Sequence, residues 1–210
     1  MDSYRRPGIE HEEFRDDDGA VIAYGDRWGP DSPPSDSYAV LSNVERFRPL
    51  HQVAQALIDA LAAEYAVTVE DDLALASDLM HDRDDVICAV RITPDDSTAA
   101  PLTFVFTSCP SILVHAGLLH DFLYPVCGCD ACDETWERVA DSMEWDVQTV
   151  IEGGYEERAG RQGEGYRLSD ADGSRSSSGQ SQDVPRARLD AASGALTEID
   201  GRWTAWSRLR

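Results

Sequence analysis

The chain has 210 residues, 42% of them hydrophobic, with 18 basic and 40 acidic side chains and a net charge of -22. That apolar content suffices for a sizeable core and excludes wholesale disorder, while the charge opposes direct binding to nucleic-acid phosphates or anionic lipid. No stretch approaches the roughly 18 consecutive apolar residues that a membrane-spanning helix needs.

Every basic residue is Arg and none is Lys, a usage that suits a GC-rich genome or, alternatively, a salt-adapted proteome. The acidic surface keeps the chain soluble, and the macromolecular partner it would favour is a basic protein. The opening "MDSYRRPGIEHEEF" lacks the apolar run of a secretory signal. A cytoplasmic setting is therefore expected, where thiols stay reduced. The odd count of five cysteines agrees with that.

Residues 1–41 read as an irregular cover containing one hairpin. Phe14 leads into the turn signal Asp16-Asp17-Asp18-Gly19, and Val21 to Tyr24 return as a strand. The proline-rich "GPDSPPSD" (29–36) is a loop. Ser42 and Glu45 have capping-box spacing. Behind them Leu50, Val53, Ala54, Leu57, Ile58, Leu61 and Tyr65 recur every three or four residues, which predicts an amphipathic helix with Pro49 in its first turn. The stretch 71–80 reads as a second, short helix. Four strands follow at 86–93, 102–107, 111–116 and 118–124. In the first, Val86, Cys88, Val90 and Ile92 alternate onto one face. Short connections favour an antiparallel meander. Trp136, Val139, Ala140, Met143, Val147 and Val150 then predict a helix over 133–152 that Gly153-Gly154 stops.

The expected fold class is α+β: an antiparallel sheet of about four strands flanked by two amphipathic helices. Residues 1–156 form the main domain in this reading. Residues 157–184, rich in Gly, Ser and charge, read as a flexible linker. Residues 185–210 carry Leu189, Leu196, Trp203 and Trp206, too apolar to stay in water, so this tail is expected to dock back onto the main domain.

One stretch stands out chemically. "VCGCDACDE" (126–134) packs Cys127, Cys129 and Cys132 into six positions, between the last predicted strand and the following helix. Cys129-x-x-Cys132 has the two-residue gap of a zinc hairpin, and Cys127 adds a third sulfur. His120, on the strand face shared with Phe122 and Tyr124, is the expected fourth ligand; His115 and Cys109 are the alternatives. Cys132 beside a helix start would be favoured as thiolate, but Asp130, Asp133 and Glu134 oppose a further anion and favour a bound cation. The cluster thus reads as a structural zinc site or as thiols that pack without metal, with a reactive thiol as the third reading. Cys88, on an apolar strand face, reads as core.

Other signals are weaker. His120-Asp121 lacks the further His and Asp residues of a metal phosphohydrolase, and "SDADGS" (169–174) is out of register for a calcium loop. No P-loop, dinucleotide fingerprint or G-x-S-x-G occurs, so no catalytic residue is assigned. The segments "YRRPGI" (4–9), "VIAYGDRW" (21–28), "SPPSDSYAV" (32–40), "ERFRPLH" (45–51), "APLTFVFT" (100–107), "HAGLLHDFLYPVCGCDACDE" (115–134) and "GRWTAW" (201–206) carry a resemblance. The chain resembles an uncharacterised group of actinobacterial proteins known only as a domain of unknown function. The resemblance implies a whole-chain unit from a GC-rich bacterium, with no activity attached. Three functions therefore stand open: a structural metal-site protein, an acidic module that captures a basic protein, and a thiol-dependent enzyme.

Overall fold

The computed structural model describes residue 1 and residues 3–10, 12–160, 163–179 and 184–209. Helix α1 spans Pro49–Glu64 and buries the stripe from Leu50 through Leu61 that its spacing requires. Pro49 occupies the first turn, where its missing N–H costs nothing. The Ser42–Glu45 capping box is not used: Asn43 is left-handed at φ 50°, and Val44–Phe47 form a separate 3₁₀ turn.

Strand β1, Val67–Asp71, was not expected, because four of its five residues are exposed and its end is acidic. It is an edge strand, and charges there discourage pairing with other chains. The predicted short helix becomes a 3₁₀ segment, Leu73–Asp78, capped by the Asp72 carboxylate on Ala74 N–H. Strands β2 (Val86–Pro94), β3 (Leu102–Thr107), β4 (Ile112–Ala116) and β5 (His120–Tyr124) complete a five-stranded meander in the order β1-β2-β3-β4-β5, antiparallel throughout. An irregularity between Val86 and Cys88 breaks the predicted alternation in β2. Cys88, Val90 and Ile92 therefore face the main core, while Val86 packs with Ala89 on the opposite side.

Helix α2, Trp136–Ile151, begins three residues later than expected, directly after the N-cap Thr135, and Gly153 at φ 81° ends it. Its Val139, Ala140, Met143, Val147 and Val150 join α1 and one sheet face in the main core. The other face of β2, β3 and β4 is covered by Leu75 and Leu79. That is why β3 and β4 are buried along their whole length.

The 3₁₀ segment is held to the sheet by charge as well. Arg91 Nε donates to Asp78 Oδ2 at 2.8 Å, and Thr103 Oγ1 donates to the same oxygen at 2.6 Å. Burial alone would raise the Asp78 pKa, but the bonds from Arg91 and Thr103 outweigh it and hold the carboxyl below its ordinary range. A depressed folded-state pKa means the stabilisation is complete above about pH 4 and is lost as the pH falls through the folded value. Asp78→Asn is accordingly expected to cost about 1–2 kcal/mol at neutral pH. Urea titrations at pH 7 and pH 3 should show that difference shrinking on the acid side.

The largest departure from the sequence reading lies beyond α2. Where a flexible linker was expected, strands β6 (Tyr155–Gly160), β7 (Gly163–Ser169) and β8 (Ser174–Gly179) form a second antiparallel sheet in the order β6-β7-β8. Residues 161–162 and 180–183 of that stretch lie outside the described residues. The apolar signal was weak because only a few positions, Tyr155 and Leu168 among them, are fully buried while β8 is exposed throughout. Backbone pairing rather than side-chain burial holds β8. Helix α3, Arg186–Glu198, lays Leu189 and Ala192 against Leu119, and the tail inserts Trp203 and Trp206 into the main core. The tail docks as its composition requires. Among the described residues, no helix is long and apolar enough to cross a membrane.

Candidate metal centre

The chain leaves β5 through a cis Tyr124–Pro125 peptide, passes Cys127 and Cys129, and enters a short 3₁₀ turn, Asp130–Cys132, that ends on the third thiol. Cys129 is buried, and Cys127 and Cys132 are exposed. The Cys127 and Cys129 sulfurs lie 3.2 Å apart, those of Cys129 and Cys132 3.5 Å apart, and all three lie within 4.8 Å of one another. Sulfurs about 2.3 Å from a tetrahedral ion sit about 3.8 Å apart, so the trio has the span that a metal ion requires.

Proton sharing among the thiols follows from that proximity. The Cys127 thiol donates toward Cys129 and, with the nearby Cys132 amide, brings the Cys129 pKa down to about 7. Hydrogen bonding with Cys127 and Cys129 pushes Cys132 up to about 12, because a second anion beside the first is disfavoured. A trio that draws negative charge onto its central sulfur, beside a Cys132 thiol that holds its proton, could bind a cation, which would displace the remaining protons.

The N-terminal cover clamps this corner. Asp130 N–H donates to Val40 O at 2.8 Å, and Ser42 N–H donates to Asp130 Oδ1 at 3.0 Å. Arg27 Nη1 lies 3.2 Å from Asp130 Oδ2, and Arg27 N–H donates to Asp133 Oδ2 at 2.8 Å. Burial would raise the Asp130 pKa, but Ser42 and Arg27 hold it low. Arg46 Nη2 donates to Gly128 O at 2.8 Å while its guanidinium lies over the Tyr24 and Phe47 rings. The Asp130 and Asp133 carboxylates are therefore turned to Arg27 rather than spent on the thiols. Cys132 sits in the 3₁₀ turn, several residues short of α2, so the expected benefit from a helix start does not apply.

The other predicted ligands are elsewhere. His120 opens β5 opposite Ala116, and Tyr124 closes it opposite Ile112; at about 3.4 Å per residue the two ends are about 14 Å apart. Alternation was right about the face and silent about that distance. His120 Nδ1 instead lies 2.9 Å from Glu157 Oε1, so His120 is not brought to the sulfurs. His115 pairs with Asp121 Oδ1 at 2.6 Å. Cys109 is exposed in the β3–β4 turn, at the thiol end of the sheet, but its sulfur is not one of the three that converge. Cys88 packs against the main core, and burial raises its thiol pKa.

A family model described as a family of unknown function, DUF6226, matches residues 10–210. The chain belongs to DUF6226. No curated protein and no solved structure matches it. The DUF6226 match spans the thiol corner and also a second polar centre that sequence reasoning missed. Glu157 on β6 is 0% exposed. Its carboxylate accepts from Leu118 N–H, Leu119 N–H, His120 Nδ1–H and the Trp203 indole N–H. Gly117 makes that reach feasible: its φ is +65°, and a Cβ there would overlap the Glu157 carboxylate. One side chain of this DUF6226 member thereby joins the β4–β5 turn, the second sheet and the tail. The one local signal was the Gly117 turn, which carries no hint of a partner forty residues away.

Proposed function

We propose that this protein binds one zinc-class ion through the thiolates of Cys127, Cys129 and Cys132, with a structural role. The convergence of the three sulfurs carries this reading. The soft donors suit zinc among the common divalent ions, and the exposed side of the trio leaves the fourth position to water or another ligand. The hydrogen bonds from the 24–46 segment supply the structural purpose, since a bound ion would rigidify the corner onto which that cover is clamped. Elemental analysis of protein purified without added metal is expected to find about one zinc per chain in the wild type and none in Cys129→Ser. A wild type that carries no metal and takes up none from added zinc would overturn the proposal.

The lowered pKa of Cys129 favours a second reading, a reactive thiol. Fast alkylation of Cys129 by iodoacetamide at neutral pH in metal-free protein, unaffected by added zinc, would support it over the first.

A further inference from the structure

A second site, independent of the thiol reading, lies between β5 and the second sheet. A cavity of about 370 Å³ has Met80, Leu113, Leu119, His120, Glu164 and Ser177 in its wall, a volume within the usual range for small-molecule sites. His120 is 9% exposed. The other donors around Glu157 all require its oxygens to accept, so the short His120–Glu157 contact places the imidazole proton on Nδ1. The Tyr155 hydroxyl, 3.2 Å from that nitrogen, gives its own proton to Ala116 O. With Nδ1–H committed to Glu157, Nε2 is the ring nitrogen left for a ligand, an acceptor in the neutral tautomer, and that atom is buried without a hydrogen-bond partner among the described residues. Glu164 Oε2, in the same cavity wall, is buried and unpartnered in the same way.

Two orphaned acceptors in one cavity each carry a desolvation cost of about 1–3 kcal/mol, which a donor from outside the chain would relieve. Among the described residues, the remaining charges in the wall do not supply that donor. The Asp121 oxygens are taken by His115 and by Met80 N–H, and Arg83 is held in a two-point bond by Asp85. His81 stands exposed in the wall. A metal ion is disfavoured, because among the described residues the grouping of three or more convergent ligand atoms is the thiol trio.

We propose that this cavity binds a small organic cation of the amine or amidine class, its N–H groups donating to His120 Nε2 and Glu164 and its carbon body lying against Met80, Leu113 and Leu119. A charged donor suits a carboxylate acceptor better than a neutral one does, and the net charge of -22 raises the local concentration of any cation.

Benzamidine is a suitable probe, with a planar amidinium fork on an apolar ring. Titrated into the full chain and followed by imidazole ¹⁵N NMR, it is expected to shift the His120 Nε2 resonance saturably and to leave His115 in place. Glu164→Gln, an isosteric change on a partly exposed side chain, should weaken that binding about tenfold, the loss of roughly 1.4 kcal/mol of charge-assisted bonding. Neutral benzamide should produce no saturable shift. The proposal is overturned if benzamidine gives no saturable shift at millimolar concentration, if benzamide binds as well, or if Glu164→Gln binds unchanged. Selective broadening of His120 by manganese(II) chloride at lower concentration than benzamidine needs would also overturn it, in favour of a metal.

Discussion

Glu157→Ala is expected to lower the unfolding free energy by about 3–5 kcal/mol, the scale for removing one partner from a buried charged network. The carboxylate is wholly buried and accepts from two backbone amides, an imidazole and an indole. Alanine would leave all of those donors in a dry interior, each costing about 1–3 kcal/mol unless water enters the vacated space. Some entry is to be expected, which is why the total stays below the simple sum. Glu157→Gln keeps an accepting oxygen but turns an amide N–H toward a donor, so a smaller loss of about 1–3 kcal/mol should follow. Urea unfolding measures both, as a lower midpoint at unchanged slope. An alanine variant as stable as the wild type would mean that apolar contact and the remaining hydrogen bonds hold the two sheets and the tail together without the carboxylate.

Trp206→Ala should cost a similar amount, about 3–5 kcal/mol, for a different reason. The indole is 4% exposed, and its N–H donates to Ala100 O at 2.9 Å. Its ring meets Tyr65 edge-on at 5.8 Å between centroids, and its backbone N–H donates to Ile151 O at 2.9 Å. Truncation leaves a cavity where the tail, α1 and the end of α2 meet. For a chain of this size about 2–4 °C of melting temperature accompanies each kcal/mol, so a fall of roughly 10 °C is expected by calorimetry. A shift of only a degree or two would show that the tail lies on the core without completing it.

The two variants divide what was legible in the sequence from what was not. Trp206 was readable, because a large apolar ring in a chain with an ample core has few places to go. Glu157 was not. It lies in a stretch whose Gly, Ser and charge content reads as linker, and nothing local to it indicates a buried acceptor. The thiol corner falls between these cases. Its three sulfurs converge because they are neighbours in sequence, so their spacing was informative. Their clamp by Arg27 and Arg46, and the distance that separates them from His120, depend on how the N-terminal cover and β5 are placed.

By itself the sequence determined the elements whose signal is contiguous: the apolar stripes of α1 and α2, the alternating strands β2 to β5, the thiol cluster and the docking of the tail. Only the tertiary structure decided the second sheet, the pairing of His120 with Glu157, and the cavity that the pairing borders. The physical reason is that apolar periodicity reports which face of an element avoids water, and that property is local. The choice of donor for a buried carboxylate or imidazole is made among residues far apart in the chain, once packing has removed water as the alternative partner.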